Sequence, residues 1–153
     1  MPFIVTQAES RAGRMFADIG VNIEWRRGGR DCQARPEETI FIRLSTDSSS
    51  TLLPGALAYA MPYEGTHIEV LFDRILKMVE QRRQAALLAH VLAHEVAHIL
   101  EGVNRHSDEG MMKSNWNESD FMHMSWKPLP FAPVDVILIQ RGLEARVSRM
   151  AKR

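Results

Sequence analysis

This sequence has a single cysteine, no net charge and no long uncharged apolar run. Its 153 residues include one cysteine, Cys32, which excludes an internal disulfide framework and any cysteine-rich zinc site. Lys and Arg together number 19, as do Asp and Glu, so the zero net charge gives no indication of binding to nucleic acid or to anionic membranes. The longest apolar run is interrupted by His and Glu, and we therefore predict no membrane span.

The rest of the composition is that of an ordinary globular domain. Hydrophobic residues make up 45% of the chain and charged residues 25%. A length of 153 residues is enough for one domain with a hydrophobic core and too short for two domains of ordinary size, so we predict a single domain over residues 1–153. The apolar part of the N-terminus is too short for a signal peptide, and the oligomeric state is left open.

The most informative stretch contains two histidines and a glutamate in the order His-Glu-x-x-His. Residues 85–100 are mostly Ala, Leu, Val and Ile, with neither Pro nor Gly, and Gly102 follows, so we predict a helix that ends near Gly102. On a helix, His98 lies within roughly 40° of His94, so both imidazoles can bind one Zn²⁺. Glu95 lies beside them, where its carboxylate can take a proton from a water on the metal. A plain core helix would have Leu or Ala here, because burying such groups without partners is unfavourable.

A catalytic zinc site needs a third protein ligand, with the fourth position left for water. His106 follows in a short segment that can turn back under the metal. The order from His94 to Met112 resembles the metzincin metallopeptidase signature, H-E-x-x-H-x-x-G-x-x-H and then a methionine turn, although Gly102 comes one residue late and His106 two residues late. Residues 106–116, which read His-Ser-x-x-Gly-x-Met-x-x-x-Trp, resemble more closely a group of small bacterial proteins identified as metzincin-like proteases.

The resemblance implies a zinc-dependent peptidase that acts on a peptide or protein substrate. His94, His98 and His106 would hold the Zn²⁺, and Glu95 would be the general base. Met112 would form an apolar floor beneath the metal, and Gly102 would support the site by ending the helix. Because the bacterial look-alikes are mostly exported, the resemblance implies the mature form of an exported protein, with a cytoplasmic location as the alternative.

Together with the order of predicted elements, the resemblance implies an α+β fold with a small metzincin-like core. We expect a mainly antiparallel or mixed sheet of about four strands, packed on an N-terminal helix and on the zinc-binding helix, followed by a helical C-terminal part. By the same resemblance, the strand over residues 67–72 would be the sheet edge that pairs with the substrate, and an interior strand is the alternative.

Two alternatives to the three-histidine peptidase remain open. Glu118 lies twenty residues after His98, as in thermolysin-like gluzincins, and could be the third ligand, although the methionine turn favours His106. A metal closed by four protein ligands would instead make the chain a non-catalytic binding module stapled by zinc. Glu95 favours the enzyme, because such a module needs no general base.

Periodicity of apolar residues predicts the remaining elements. Strands are predicted over residues 21–25, 39–44, 56–61 and 66–72, and further helices over residues 6–19, 73–83, 117–126 and 134–150. In the last helix we expect the apolar residues to face the core, namely Val136, Ile137, Ile139, Leu143 and Val147. His90, one turn before His94, is expected to be a buried histidine bonded to a backbone carbonyl.

Overall fold

Five helices and a three-stranded sheet make up the part of the chain that the computed structural model describes, residues 2–28, 39–47, 54–60 and 67–152. The helices are α1 (Pro2–Ala17), α2 (Phe72–Met78), α3 (Gln81–Glu101), α4 (Glu118–Met124) and α5 (Pro133–Ala151). The strands are β1 (Phe41–Ser45), β2 (Ala58–Ala60) and β3 (His67–Leu71). The predicted α+β class is confirmed, and Cys32 lies outside the described residues.

Helix α3 is the central element of the fold. Every residue from 84 to 101 is buried, because α1, α2, α4, α5, β2 and β3 all pack against this helix. A helix with apolar residues on every face needs such cover on every side. The helix ends at Gly102, which has the left-handed φ of 73° and donates its N–H to the carbonyl of His98 at 2.9 Å. This end agrees with the prediction, and glycine is favoured there because it lacks a Cβ.

The sheet has the strand order β1-β3-β2 and is mixed, as predicted. Strand β1 pairs with β3 in parallel, from Phe41 opposite His67 to Ser45 opposite Leu71. Strand β2 pairs with β3 antiparallel, and the two short strands β2 and β3 contact α3. Strand β3 is therefore the middle strand, so the interior alternative is correct and the prediction of a substrate-pairing edge at residues 67–72 is wrong.

Residues 21–25 were predicted as a strand, but they form none. Val21 is buried, and Ile23 and Trp25 are half-buried against the core, while the residues between them are exposed. The predicted alternation of buried and exposed residues is therefore present. It belongs to an extended segment that packs one side against the core and is not paired with a neighbouring strand. Instead of the expected four or so strands, the described residues contain three.

Helix α5 packs on α3 through a narrow stripe of its surface. Ile139 is fully buried, and a Cβ on Gly142 would overlap the carbonyl oxygen of Leu100, so the two helices meet at this glycine. Ile137 and Val147, predicted to face the core, are 49% and 57% exposed, because α3 is the one element among the described helices and strands that makes extensive contact with α5. Among the described residues, no helix combines the length and hydrophobicity that a membrane crossing requires.

Candidate metal centre

His94 and His98 lie one turn apart on α3 and point their ring nitrogens at each other. Both are buried, with 7% and 3% of their surface exposed, and their Nε2 atoms are 3.0 Å apart. Nδ1 of His94 donates to the carbonyl of Met111 at 2.7 Å, and Nδ1 of His98 lies 3.3 Å from the carbonyl of Val103. Since a carbonyl only accepts, these contacts favour the tautomers that carry the hydrogen on Nδ1 and a lone pair on Nε2.

Two lone pairs that face each other at 3.0 Å repel unless a cation lies between them. Two nitrogen ligands on a tetrahedral zinc, each about 2.0–2.1 Å from the ion, are about 3.3–3.4 Å apart. The separation of the Nε2 atoms of His94 and His98 is thus close to what a shared metal ion needs. The carbonyl bonds at Nδ1 are the usual way in which proteins orient metal-binding histidines.

His106 completes a group of three imidazoles. It lies in the irregular segment between α3 and α4, is exposed, and packs its ring 4.9 Å from that of His98 and 5.4 Å from that of His94. One ligand atom from each histidine lies within 4.8 Å of the other two. Among the described residues, no Cys, Asp or Glu joins this group, so it could hold a metal ion through three nitrogens with a further position left open.

Glu118, the alternative third ligand, does not lie in this group. It is the first residue of α4, its side chain is 74% exposed, and it forms an ion pair with Arg83 at 3.0 Å. Of the two candidates, the structure therefore brings only His106 to the pair on α3.

The protonation states of the residues on α3 suit metal binding at neutral pH. Burial lowers the pKa of His94 and of His98 to about 4, so both imidazoles are neutral and can act as ligands. Glu95, next to His94 in the helix, is also buried, and burial raises the pKa of its carboxyl to about 7. A carboxyl that titrates near neutral pH can both accept and return a proton.

The turn after His106 fixes one of the helix histidines. Met111 and Met112 are both fully buried, and the carbonyl of Met111 is the one that orients His94. The amide of Met111 donates to the carbonyl of Pro130 at 2.9 Å, and Gly110 has a φ of 79° and no room for a Cβ against that same carbonyl. The floor role expected of Met112 stays a prediction.

A group of polar residues around His106 was not predicted from the sequence. Asp135 in the first turn of α5 is fully buried and accepts a short hydrogen bond from Arg105 and one of 3.1 Å from the Ser107 hydroxyl. Its only sequence signal is an acidic residue in a first helical turn, which normally indicates an exposed carboxylate. Glu101, at the end of α3, is buried, and within the described part of the chain neither of its carboxyl oxygens makes a hydrogen bond of normal geometry. Burial and the nearby Asp135 carboxyl raise its pKa to about 8.

Comparisons of the chain with protein-family models, with curated proteins and with solved structures find no match. The chemistry of the three histidines and of the glutamate beside them is therefore what indicates a function.

Proposed function

We propose that the protein is a zinc-dependent peptidase of the metzincin type. In this proposal His94, His98 and His106 hold the metal and Glu95 is the general base. The observation that supports it most directly is the convergence of three imidazole nitrogens, within 4.8 Å of one another. The buried Glu95 follows His94 directly in the helix. The substrate would be a peptide or protein.

Zinc is the metal that this set of ligands favours. Three imidazole nitrogens with one open position are typical of catalytic zinc sites, whereas magnesium and calcium prefer oxygen ligands. When bound, the ion supplies Lewis-acid polarisation of the scissile carbonyl and a water of lowered pKa.

The chain's own residues would contribute orientation and proton transfer. The carbonyls of Met111 and Val103 keep His94 and His98 in the tautomer whose Nε2 is free to bind. Glu95 would accept the proton of the attacking water and then return it to the leaving amine. Burial supports both steps, because a pKa near 7 leaves the carboxylate basic enough to accept the proton and acidic enough to release it.

The alternative of a zinc-stapled binding module requires four protein ligands. Among the described residues no fourth side chain of the usual metal-binding types joins the three histidines, and the exposed His106 leaves this side of the group open to solvent. These observations favour the enzyme. The gluzincin alternative is disfavoured, because Glu118 forms an ion pair with Arg83 away from the histidines.

The replacement Glu95→Gln tests the proposal. Gln keeps the size of the side chain but cannot take up a proton, so the variant should keep its zinc while hydrolysis of a mixed peptide library, read by mass spectrometry, falls by at least about 100-fold. Glu118→Gln is the matched control, because it makes the same chemical change on an exposed residue, and it should alter neither zinc content nor hydrolysis.

Each other outcome has a definite meaning. If wild type and Glu95→Gln cleave at the same rate, the general-base mechanism is wrong. If the wild type holds zinc and cleaves no peptide, the non-catalytic module is the better explanation. Loss of zinc in Glu118→Gln would point to the gluzincin arrangement.

A further inference from the structure

The three histidines are held in place by different means. His94 and His98 are fixed by a buried helix and by a backbone carbonyl at each Nδ1. His106 has no helix to hold it, and none of the hydrogen bonds between described residues involves its ring. Something other than its own side-chain bonds must therefore set its position.

The residues on either side of His106 are joined to one buried carboxylate. Arg105 donates from Nη1 to Oδ1 of Asp135, and the Ser107 hydroxyl donates to Oδ2 at 3.1 Å. Nη1 of Arg105 also lies 3.1 Å from the Ser107 hydroxyl oxygen, which closes a ring of three side chains around residue 106. Because both chain neighbours are anchored to the same group, the backbone of His106 has little freedom to turn its ring away from the other two histidines.

The burial of Asp135 indicates that the hydrogen bonds of this ring serve more than general packing. A fully buried carboxylate is strongly unfavourable unless charged and hydrogen-bonding partners compensate for the loss of water. Here both oxygens accept hydrogen bonds from the segment that carries the third histidine, while the carboxyl of Glu101 at the end of α3 also lies close to Asp135. A carboxylate that only fastened α5 to α3 could have met any part of α3 or of the loop after it.

We infer that Asp135 of α5 is a positioning residue for the third metal ligand, His106, and acts on it through Arg105 and Ser107. The inference rests on the metal site proposed above. It makes the C-terminal helix part of the metal centre, although that helix supplies no ligand itself.

A double-mutant cycle on zinc affinity tests the inference. Zinc dissociation constants are measured by competition with a chromophoric chelator for the wild type, Asp135→Asn, His106→Ala and the double variant. Loss of a group that orients a ligand typically weakens metal binding by about 10–100-fold, and we expect this for Asp135→Asn. In the His106→Ala background the same change should have no further effect, because the ligand it positions is gone.

Two more variants separate positioning from stability. Ser107→Ala removes only one side of the ring, so it should fold and should weaken zinc binding in the same direction by less. Ile139→Val is the control in the same helix: it reduces the packing of a fully buried residue and should lower the thermal stability while leaving zinc affinity unchanged. If Asp135→Asn does not fold, the comparison of Ser107→Ala with Ile139→Val decides.

The possible failures can be told apart. If the wild type itself does not bind zinc, the metal site and the inference both fail. If His106→Ala weakens binding while Asp135→Asn and Ser107→Ala bind zinc as the wild type does, the site stands and the inference alone is wrong. An equal effect of Asp135→Asn with and without His106 would also overturn it, because the carboxylate would then act by another route.

Discussion

His90 and His94 lie one helical turn apart on α3 and are both buried, yet only one of them is available to a metal. His90 donates from Nδ1 to the carbonyl of Ala86 at 2.7 Å and accepts the amide of Leu129 at Nε2, 3.0 Å away. The predicted bond to a backbone carbonyl is thus confirmed. His94 also uses Nδ1 on a carbonyl, but its Nε2 faces another acceptor, the Nε2 of His98. His90 uses both ring nitrogens in hydrogen bonds, as a structural histidine does. His94 keeps a lone pair on Nε2 that faces the Nε2 of His98, and this arrangement is what a metal ligand requires.

We expect His90→Leu and His94→Leu to have opposite effects on metal and on stability. His90→Leu leaves the Leu129 amide buried without a partner, so the unfolding free energy should fall by about 1–3 kcal/mol while zinc content is unchanged. His94→Leu should abolish stoichiometric zinc binding. Urea unfolding and metal analysis of both variants check this, and zinc loss in His90→Leu would contradict it.

At the scale of elements, the contact between α3 and α5 connects the helix that carries His94 and His98 with the helix that carries Asp135. The two helices approach at Gly142, whose missing side chain leaves space for the carbonyl of Leu100. Asp135 on α5 lies close to Glu101 at the end of α3. Any residue larger than glycine at this crossing must push the helices apart.

Gly142→Ala should therefore destabilise the protein by about 1–3 kcal/mol or more, since its Cβ would overlap a backbone carbonyl that cannot rotate away. Gly28→Ala is the matched control: its Cβ would have no heavy atom within 4 Å, and its effect should stay within about 0.5 kcal/mol. Thermal unfolding of the two variants measures the difference. Equal stabilities would mean that the helices do not meet closely at residue 142.

The features that could be predicted from the sequence are those that depend on local geometry. The spacing of His94 and His98 and the glycine after them describe one helix, and a helix brings its own residues into register. The ring around His106 could not be predicted, because it joins Asp135 to residues 28 and 30 positions earlier through the packing of α5 on α3. Residues 21–25 illustrate the same limit. Their alternation of apolar and polar residues is a local property, whereas a strand also needs a partner strand, which local sequence does not reveal.

At the scale of the whole molecule, the titratable groups buried along α3 act on stability in opposite directions. Burial lowers the pKa of His90, His94 and His98 to about 4 from an ordinary 6.5, so in the metal-free protein their contribution is present above pH 6.5 and is lost as the pH falls towards 4. Burial raises the pKa of Glu95 to about 7 and of Glu101 to about 8 from an ordinary 4.5. Their contribution is present below pH 4.5 and is lost as the pH rises through these values.

The metal-free protein should therefore be most stable in mildly acidic to neutral buffer and lose stability towards both sides. Glu101→Gln should remove a loss of stability that runs from about pH 4.5 to about pH 8 and should leave the slope below pH 4.5 unchanged, because it removes one carboxyl that must ionise inside the fold. Urea unfolding in chelator-treated buffers over about pH 4–9 measures both sides. A variant that loses stability above pH 7 as steeply as the wild type would rule out ionisation of Glu101 as a cause.

Residues 84 to 101 of helix α3 are all buried by packing against neighbouring helices and strands. Two of the three proposed ligands, His94 and His98, would therefore be preorganised, because folding alone places them. The ordering entropy of binding is then confined to the short segment around the third ligand, His106. In small zinc domains, which unfold without their ion, the free energy of metal binding is also the free energy of folding. At the site proposed for this protein, affinity for the ion would change through one segment while the rest of the protein keeps its structure.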